Sequence, residues 1–521
     1  MTTIREKIVI LDFGSQYTQL IARRIREKNV FSEIVPYTAA LPELERSEVR
    51  GIILSGGPSS VYDIDSPHPA AAVFAMNKPV LGICYGMQLM AYHLAGEVSP
   101  SPQREYGYAE LEVMAESPLF QGLGNGHGNG QRPLLKVWMS HGDRLTRLPP
   151  GFSCLGKTDN SEFAAIMDPV RHFYGLQFHP EVIHTPQGTA ILSNFVHHIC
   201  GCSPNWTIES FVDNTIEELR TCVADREVIC ALSGGVDSSV LAILMNKAIG
   251  DRSRCVFVDN GLLRKDERQN VEEFLSGKMG LNIQVVDAAR RFLDKLAGVS
   301  EPEAKRTIIG NEFIKVFFEA AGNFDFLAQG TLYPDVIESV STKGPSATIK
   351  THHNRVPHIL ELIKQGRIIE PLKELFKDEV RQVGLALGLP DELVYRHPFP
   401  GPGLAIRVIG PVDETRLAMV READAIVRQE IAAAGMHREV WQAFAILLPV
   451  QSVGVMGDKR TYENSCVIRV VQSQDAMTAD WARLEPDVLA RMSHRIINEI
   501  AGINRVLYDI SSKPPATIEW E

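Results

Sequence analysis

The stretch Val228-Ile229-Cys230-Ala231-Leu232, followed by Ser233-Gly234-Gly235-Val236-Asp237-Ser238-Ser239, constrains this chain more than any other. The apolar residues read as a buried strand, and Val240, Leu241, Ile243, Leu244 and Ile249 then recur at helical spacing. Strand, glycine turn, helix is the predicted order. Gly234 and Gly235 admit backbone angles and close approach that a side chain would block. Ser238 and Ser239 fall at a helix N-terminus, where unpaired N–H groups and the helix dipole favour an anion. The turn is therefore a candidate cradle for phosphate groups. It differs from the common P-loop, since no Gly-Lys-Ser/Thr follows the glycines.

At 521 residues the chain has room for about three domains. With 45% apolar and 22% charged residues it has the balance of a soluble globular protein, and no uninterrupted apolar run reaches bilayer length. Met1 leads directly into a strand-like Lys7-Ile8-Val9-Ile10-Leu11, a pattern that predicts no signal peptide. The net charge of −11 argues against a nucleic-acid polymer as partner but leaves room for a local basic pocket. Eight cysteines without a framework of spacings point to a reducing compartment, by default the cytoplasm.

In the first two hundred residues, Ile8 to Phe13, Gly51 to Ser55 and Pro79 to Gly86 read as strands alternating with helical segments, the last followed by a helix from about Met87 to Leu94, which predicts a parallel sheet covered on both faces. Cys84 sits in Gly82-Ile83-Cys84-Tyr85-Gly86, where flanking glycines suit a tight strand-to-helix elbow exposing a nucleophile. A helix N-terminus also favours a thiolate. Taken alone, the motif fits equally a small buried cysteine at a turn. In Gly175-Leu176-Gln177-Phe178-His179-Pro180-Glu181, His179 is a candidate proton acceptor for the thiol and Glu181 the group that orients the imidazole. Gly56-Gly57, after a strand, offers backbone N–H groups for an oxyanion.

These elements, together with Trp138-Met139-Ser140-His141-Gly142-Asp143, resemble the class I glutamine amidotransferase domain over roughly residues 7 to 200. The resemblance implies glutamine amide hydrolysis through a thioester, with Cys84, His179 and Glu181 catalytic and the N–H groups near Gly57 and Tyr85 as oxyanion donors. Two features invite other readings. Gly122 to Gly130 is glycine-rich, but a strand-like Leu134 to Trp138 follows it rather than a helix, so it reads as a surface insertion. Cys200-Gly201-Cys202 lacks a second ligand pair at zinc spacing.

Ser233 to Ser239 resembles the pyrophosphate loop of the N-type ATP pyrophosphatases. Strand-like Cys255 to Val258, Asn282 to Asp287 and Phe324 to Asp335 follow it, and ligands of open parallel sheets bind at the C-terminal ends of strands. The segments Lys305 to Gly310, Gln329 to Asp335, Glu370 to Arg381 and Arg396 to Leu404 narrow the likeness to the GMP synthetase family. That family would bind ATP through Ser233, Gly234, Gly235, Val236, Asp237, Ser238 and Ser239. Magnesium would bridge the phosphates with Asp237 helping to place it, and no organic prosthetic group is expected. Lys350-Thr351-His352-His353-Asn354 matches the family's lid, and the chain departs from the family at Arg355-Val356-Pro357-His358, where a glycine pair is expected.

From about His397 a proline- and glycine-rich linker leads to a helix over Thr415 to Ala434, strands at Ala445 to Val450 and Cys466 to Val471, and a helix over Pro486 to Ile500. So small a mixed sheet points to an oligomer interface. Ser512 to Glu521 would pass for a disordered tail. The resemblance implies instead that this end forms part of an XMP site and a homodimer, with Arg306, Gln442, Arg505, Lys513, Ile518 and Glu519 as XMP contacts. The expected architecture is α/β: two parallel-sheet α/β domains, the second adenine-nucleotide α-hydrolase-like, plus a small α+β C-terminal domain. Their boundaries are 1–203, 204–396 and 397–521. Glutamine, ATP and XMP are the expected partners.

Overall fold

The computed structural model describes residues 5–123, 132–340, 357–456, 458–473, 476 and 478–521. The lid from Lys350 to Asn354, Arg355-Val356, and residues 124–130 of the glycine-rich insertion lie outside these. The chain packs as two compact units that change over in sequence between Phe211 and Val212.

The first unit is built on nine strands: β1 (Lys7–Asp12), β2 (Phe31–Pro36), β3 (Val49–Leu54), β4 (Val80–Ile83), β5 (Glu97–Val113), β6 (Leu134–Arg147), β7 (Ser153–Lys157), β8 (Ala165–Asp168) and β9 (Phe173–Leu176). They form one sheet in the order β2-β1-β3-β4-β9-β8-β7-β5-β6. The strands from β2 to β9 run parallel, as expected, and the apolar runs of β1, β3, β4 and β9 are buried on both faces. From β9 to β6 the neighbours are antiparallel, an extension that the sequence reading did not anticipate. Its signal is the alternation on β6, where Leu135, Val137, Met139 and His141 are buried between more exposed neighbours. Such alternation belongs to a sheet with one solvated face.

In the second unit, β10 (Val228–Leu232), β11 (Ser253–Asp259), β12 (Asn282–Asp287), β13 (Phe326–Ala328) and β14 (Ile368–Ile369) form an all-parallel sheet in the order β12-β11-β10-β13-β14. The reading of Phe324 to Asp335 as one strand is corrected. Only Phe326–Ala328 pairs, and a helix starts at Tyr333, where Pro334 suits the first turn and Asp335 accepts the Leu332 N–H at 3.1 Å. A second, mixed sheet holds β15 (Gln442–Met456), β16 (Lys459–Gln472), β17 (Asp480–Trp481) and β18 (Ile503–Tyr508), with β18 parallel to β16. The helices Glu414–Ala433 and Pro486–Glu499 turn apolar faces toward it. One apolar cluster runs from Ile229, Val256 and Phe292 through Leu404 and Val420 to Val470 and Ile496, so the two sheets share a core. Among the described residues no helix is long and apolar enough to cross a membrane.

Candidate active sites

Strand β4 ends in a backbone turn that Cys84 makes at φ 51° and ψ −108°. A left-handed φ at a residue with a Cβ costs on the order of 1–3 kcal/mol and persists only where its surroundings fix it. Here the Cys84 N–H donates to Leu176 O at 2.7 Å, and the helix Tyr85–His93 starts at once. A Cβ on Gly86 would lie 2.2 Å from Leu54 O, so only glycine lets the elbow sit directly on β3. The Cys84 thiol donates to Ser140 O at 3.6 Å and accepts from Gln177 Nε2 at 3.8 Å.

His179 lies just beyond β9, the neighbour of β4, which is how residues far apart in sequence come together. Its Nδ1 is 2.7 Å from Glu181 Oε1, and both side chains are buried. Its main chain is fixed too: the N–H donates to Trp138 O at 3.0 Å and the carbonyl accepts the Thr185 hydroxyl at 2.7 Å. Burial opposes charge on the ring, but Glu181 and then Cys84 outweigh it and hold the imidazolium well above the ordinary histidine range. Gly56 and Gly57 border the same elbow. A Cβ on Gly56 would lie 3.2 Å from His179 Cε1, and one on Gly57 2.9 Å from Tyr85 Cδ1. Tyr85 opens the helix, so its N–H has no acceptor within that helix.

In the second unit, β10 runs into Ser233 and the helix Val236–Ile249, with Gly234 at φ +74°. The Ser233 and Ser238 hydroxyls are 2.9 Å apart, and the Ser239 hydroxyl donates to Gly235 O at 2.9 Å. Arg396 donates to Gly234 O at 2.9 Å. Lys377 Nζ reaches both Asp237 oxygens, at 2.6 and 2.5 Å. Asp259 and Asp287, at the ends of β11 and β12, are joined by Arg268.

The C-terminal tail is anchored rather than free. Arg469, fully buried, donates to the carbonyls of Ser511 at 2.6 Å and Thr517 at 3.0 Å. Glu519 Oε1 accepts from Arg407 Nη2 at 3.0 Å and from Gln442 Nε2 at 2.6 Å, while Ile518 packs with Phe444 and Val467. The buried Lys305 pairs with the Glu521 carboxylate, and Arg306 donates to the Glu521 main-chain oxygen. Gln442, Ile518 and Glu519 thus meet, with Arg306 on the same tail. Lys513 instead donates to Ala476 O at 2.7 Å. Arg505 stands exposed on β18 and, among the described residues, has no hydrogen bond or ion pair to the others.

Three family models match in the order of these sites: glutamine amidotransferase class-I at residues 9–199, a phosphoadenosine phosphosulfate reductase domain at 227–316, and a GMP synthase C terminal domain at 429–520. Over its length the chain is 56% identical to a glutamine-hydrolysing GMP synthase of Solidesulfovibrio magneticus, with 99% of each chain covered. It is 53% identical to one of Brachyspira hyodysenteriae and 54% to one of Nitratidesulfovibrio vulgaris, again with 99% of each chain covered. The chain belongs to the glutamine-hydrolysing GMP synthase family.

Several charged residues of this family member went unassigned in the sequence. Arg407 and Arg469 are the clearest, each a lone cation in an apolar run, Leu404-Ala405-Ile406-Arg407-Val408 and Cys466-Val467-Ile468-Arg469-Val470. Such a residue has to be paired if buried. Arg407 pairs with the equally buried Asp424 at 2.9 Å. Gln88 and Gln177, whose side-chain amides lie 3.3 Å apart at the Cys84 elbow, carry no such signal.

Proposed function

We propose that the chain makes GMP from XMP, ATP and glutamine, and that it does so at two centres. The observation that carries this reading is that the whole chain, rather than one part of it, matches GMP synthases from end to end. At the first centre Cys84 attacks the glutamine amide carbon and its thiol proton passes to His179, whose charge Glu181 supports. The N–H groups of Gly57 and Tyr85 hold the oxyanion. His179 returns the proton to the departing nitrogen, ammonia leaves, and water releases glutamate from the thioester.

At the second centre Ser233 to Ser239 cradles the outer phosphates of ATP. The XMP base oxygen attacks the α-phosphorus and pyrophosphate departs. Ammonia then displaces AMP, a far better leaving group than the original oxygen. Asp237 is one carboxylate beside the loop, and among the described residues no three His, Cys, Asp or Glu side chains converge on a metal position. Lys377 holds both Asp237 oxygens, so Asp237 would have to leave that pair to help place magnesium, which usually keeps one or two protein carboxylates and takes its other ligands from phosphates and water. When bound it would offset phosphate charge. Gln442, Ile518, Glu519 and Arg306 are the XMP contacts supported best, because they gather around one anchored tail. Arg505 and Lys513 stand apart and require movement, or a second copy, to join them.

The three functional parts are 1–203, 204–396 and 397–521, and each encloses one family match. Exposed Val450, Val453, Val455 and Tyr462 on the β15–β16 pair support a homodimer through the C-terminal part. The eight free cysteines support a reducing, cytoplasmic setting.

The decisive assay supplies XMP, ATP and magnesium with either glutamine or ammonium and detects GMP by mass spectrometry. Wild type should use both nitrogen sources and Cys84→Ala only ammonium. Pyrophosphate release without GMP would refute the acceptor assignment, and glutamine-dependent GMP from the variant would refute the nucleophile.

A further inference from the structure

Strands β5 and β6 pair with Glu105 opposite His141. On β6 the inward row reads Leu135, Val137, Met139 and then His141, whose side chain is 2% exposed, against 9% for Glu105. Polar groups in an apolar row are costly unless fully bonded. These are. His141 Nε2 lies 3.2 Å from Glu105 Oε2, and its Nδ1 lies 2.9 Å from Asp143 O. The Thr158 hydroxyl donates to Glu105 Oε1 at 3.0 Å and the Ser161 hydroxyl to Oε2 at 3.3 Å. Both ring nitrogens face oxygen atoms.

Among the described residues no hydrogen bond joins this pair to the sulfur directly, yet the backbone it clamps leads there twice. Ser140 O accepts the Cys84 thiol at 3.6 Å. Asp143 O accepts Gln88 Nε2 at 2.9 Å, that amide lies 3.3 Å from Gln177 Oε1, and Gln177 Nε2 donates to Cys84 Sγ at 3.8 Å. The imidazole grips residues 140–143 at their middle, and a contact runs to the nucleophile from either end.

We propose that Glu105 and His141 are positioning residues for glutamine hydrolysis. They fix Ser140 to Asp143 so that the Ser140 carbonyl and the Gln88–Gln177 amides hold the Cys84 sulfur in line for the substrate carbonyl. This rests on Cys84 being the nucleophile.

The test uses the full chain carrying Glu105→Ala, Glu105→Gln, His141→Ala or Thr158→Val. It measures GMP formation from glutamine, GMP formation from ammonium, and the rate at which iodoacetamide alkylates Cys84, followed on the Cys84 peptide. Glu105→Ala and His141→Ala should lower glutamine-dependent kcat about tenfold to a hundredfold, the cost of small displacements at a reacting centre. They should slow Cys84 alkylation and leave the ammonium reaction within about twofold of wild type. Glu105→Gln keeps an acceptor oxygen and should restore most of both losses. Thr158→Val removes the hydroxyl that donates to Glu105 and accepts the Ser161 N–H, and should cost about two- to tenfold, which keeps the proposal testable if the alanine variants do not fold. Unchanged alkylation, or equal losses with glutamine and ammonium across the soluble variants, would overturn it. Glutamine-dependent activity in Cys84→Ala would sink the nucleophile instead. Wild-type behaviour of the His141 and Glu105 variants beside a dead Cys84→Ala would sink this inference alone.

Discussion

At the scale of single residues, His179 is where geometry becomes pH dependence. Its folded-state affinity for a proton is raised, because Glu181 and Cys84 outweigh burial, whereas an unfolded histidine titrates near about 6.5. The folded chain therefore holds this proton more tightly than the unfolded one. The resulting stability is fully present below about pH 6.5 and is lost as pH rises through the raised folded value. Glu181→Gln removes the main support and leaves burial to dominate. Its melting deficit relative to wild type should be largest near pH 6 and shrink toward pH 9, while glutamine-dependent kcat falls by up to about 10⁴, the cost of losing the acid that orients a catalytic histidine. A deficit independent of pH would contradict the assignment. Cys84, His179 and Glu181 were legible as candidates because a cysteine, a histidine and a carboxylate sit at strand ends with telling neighbours, and the structure sets His179 2.7 Å from Glu181. Gln88 and Gln177 were not, since an amide becomes informative only when its partner is known.

At the scale of elements, the strand, turn and helix around Ser233 were legible because composition, periodicity and glycine placement agree there. What holds the turn open was hidden, since Lys377 and Arg396 reach it from 140 and 162 residues away. The short strand β13 was overread because Phe324 and Leu332 extend its apolar signal on both sides while Pro334 already starts a helix. The loop makes its own prediction. Gly234 stands at φ +74°, and a Cβ there would lie 3.2 Å from both Glu267 Oε1 and Val271 Cγ2. Gly234→Ala combines about 1–2 kcal/mol of left-handed strain with this crowding. The KM for ATP in ammonium-dependent synthesis should rise about tenfold. An ATP titration that matches wild type would show that the turn does not depend on glycine at this position.

At the scale of the whole molecule, the linker near His397 reads as a boundary in the sequence, because proline and glycine interrupt the periodic segments there. Yet side chains on both sides of it pack into one cluster, and buried charges tie the later part together. Pairings of this kind are invisible from one strand or helix at a time. Asp424, fully buried, faces Arg407 at 2.9 Å, Arg428 at 2.9 Å and Arg264 at 3.5 Å. Burial pushes the Arg264 guanidinium down to about 9 even with Asp424 beside it. Arg407 in turn holds Glu519, so Asp424 is tied to the tail through this one guanidinium. Asp424→Asn keeps the shape and removes the charge. Breaking a buried pair from one side typically costs about 3–5 kcal/mol, because the partner's charge stays buried. Urea unfolding should therefore show that loss in the transition of the second unit, with Cys84 alkylation in low urea unchanged. XMP-dependent pyrophosphate release should weaken as well, since Glu519 loses a fixed partner. An asparagine variant as stable as wild type would mean that the guanidinium groups are solvated well enough not to need Asp424, and that the apolar contacts of Ile518 hold the tail instead.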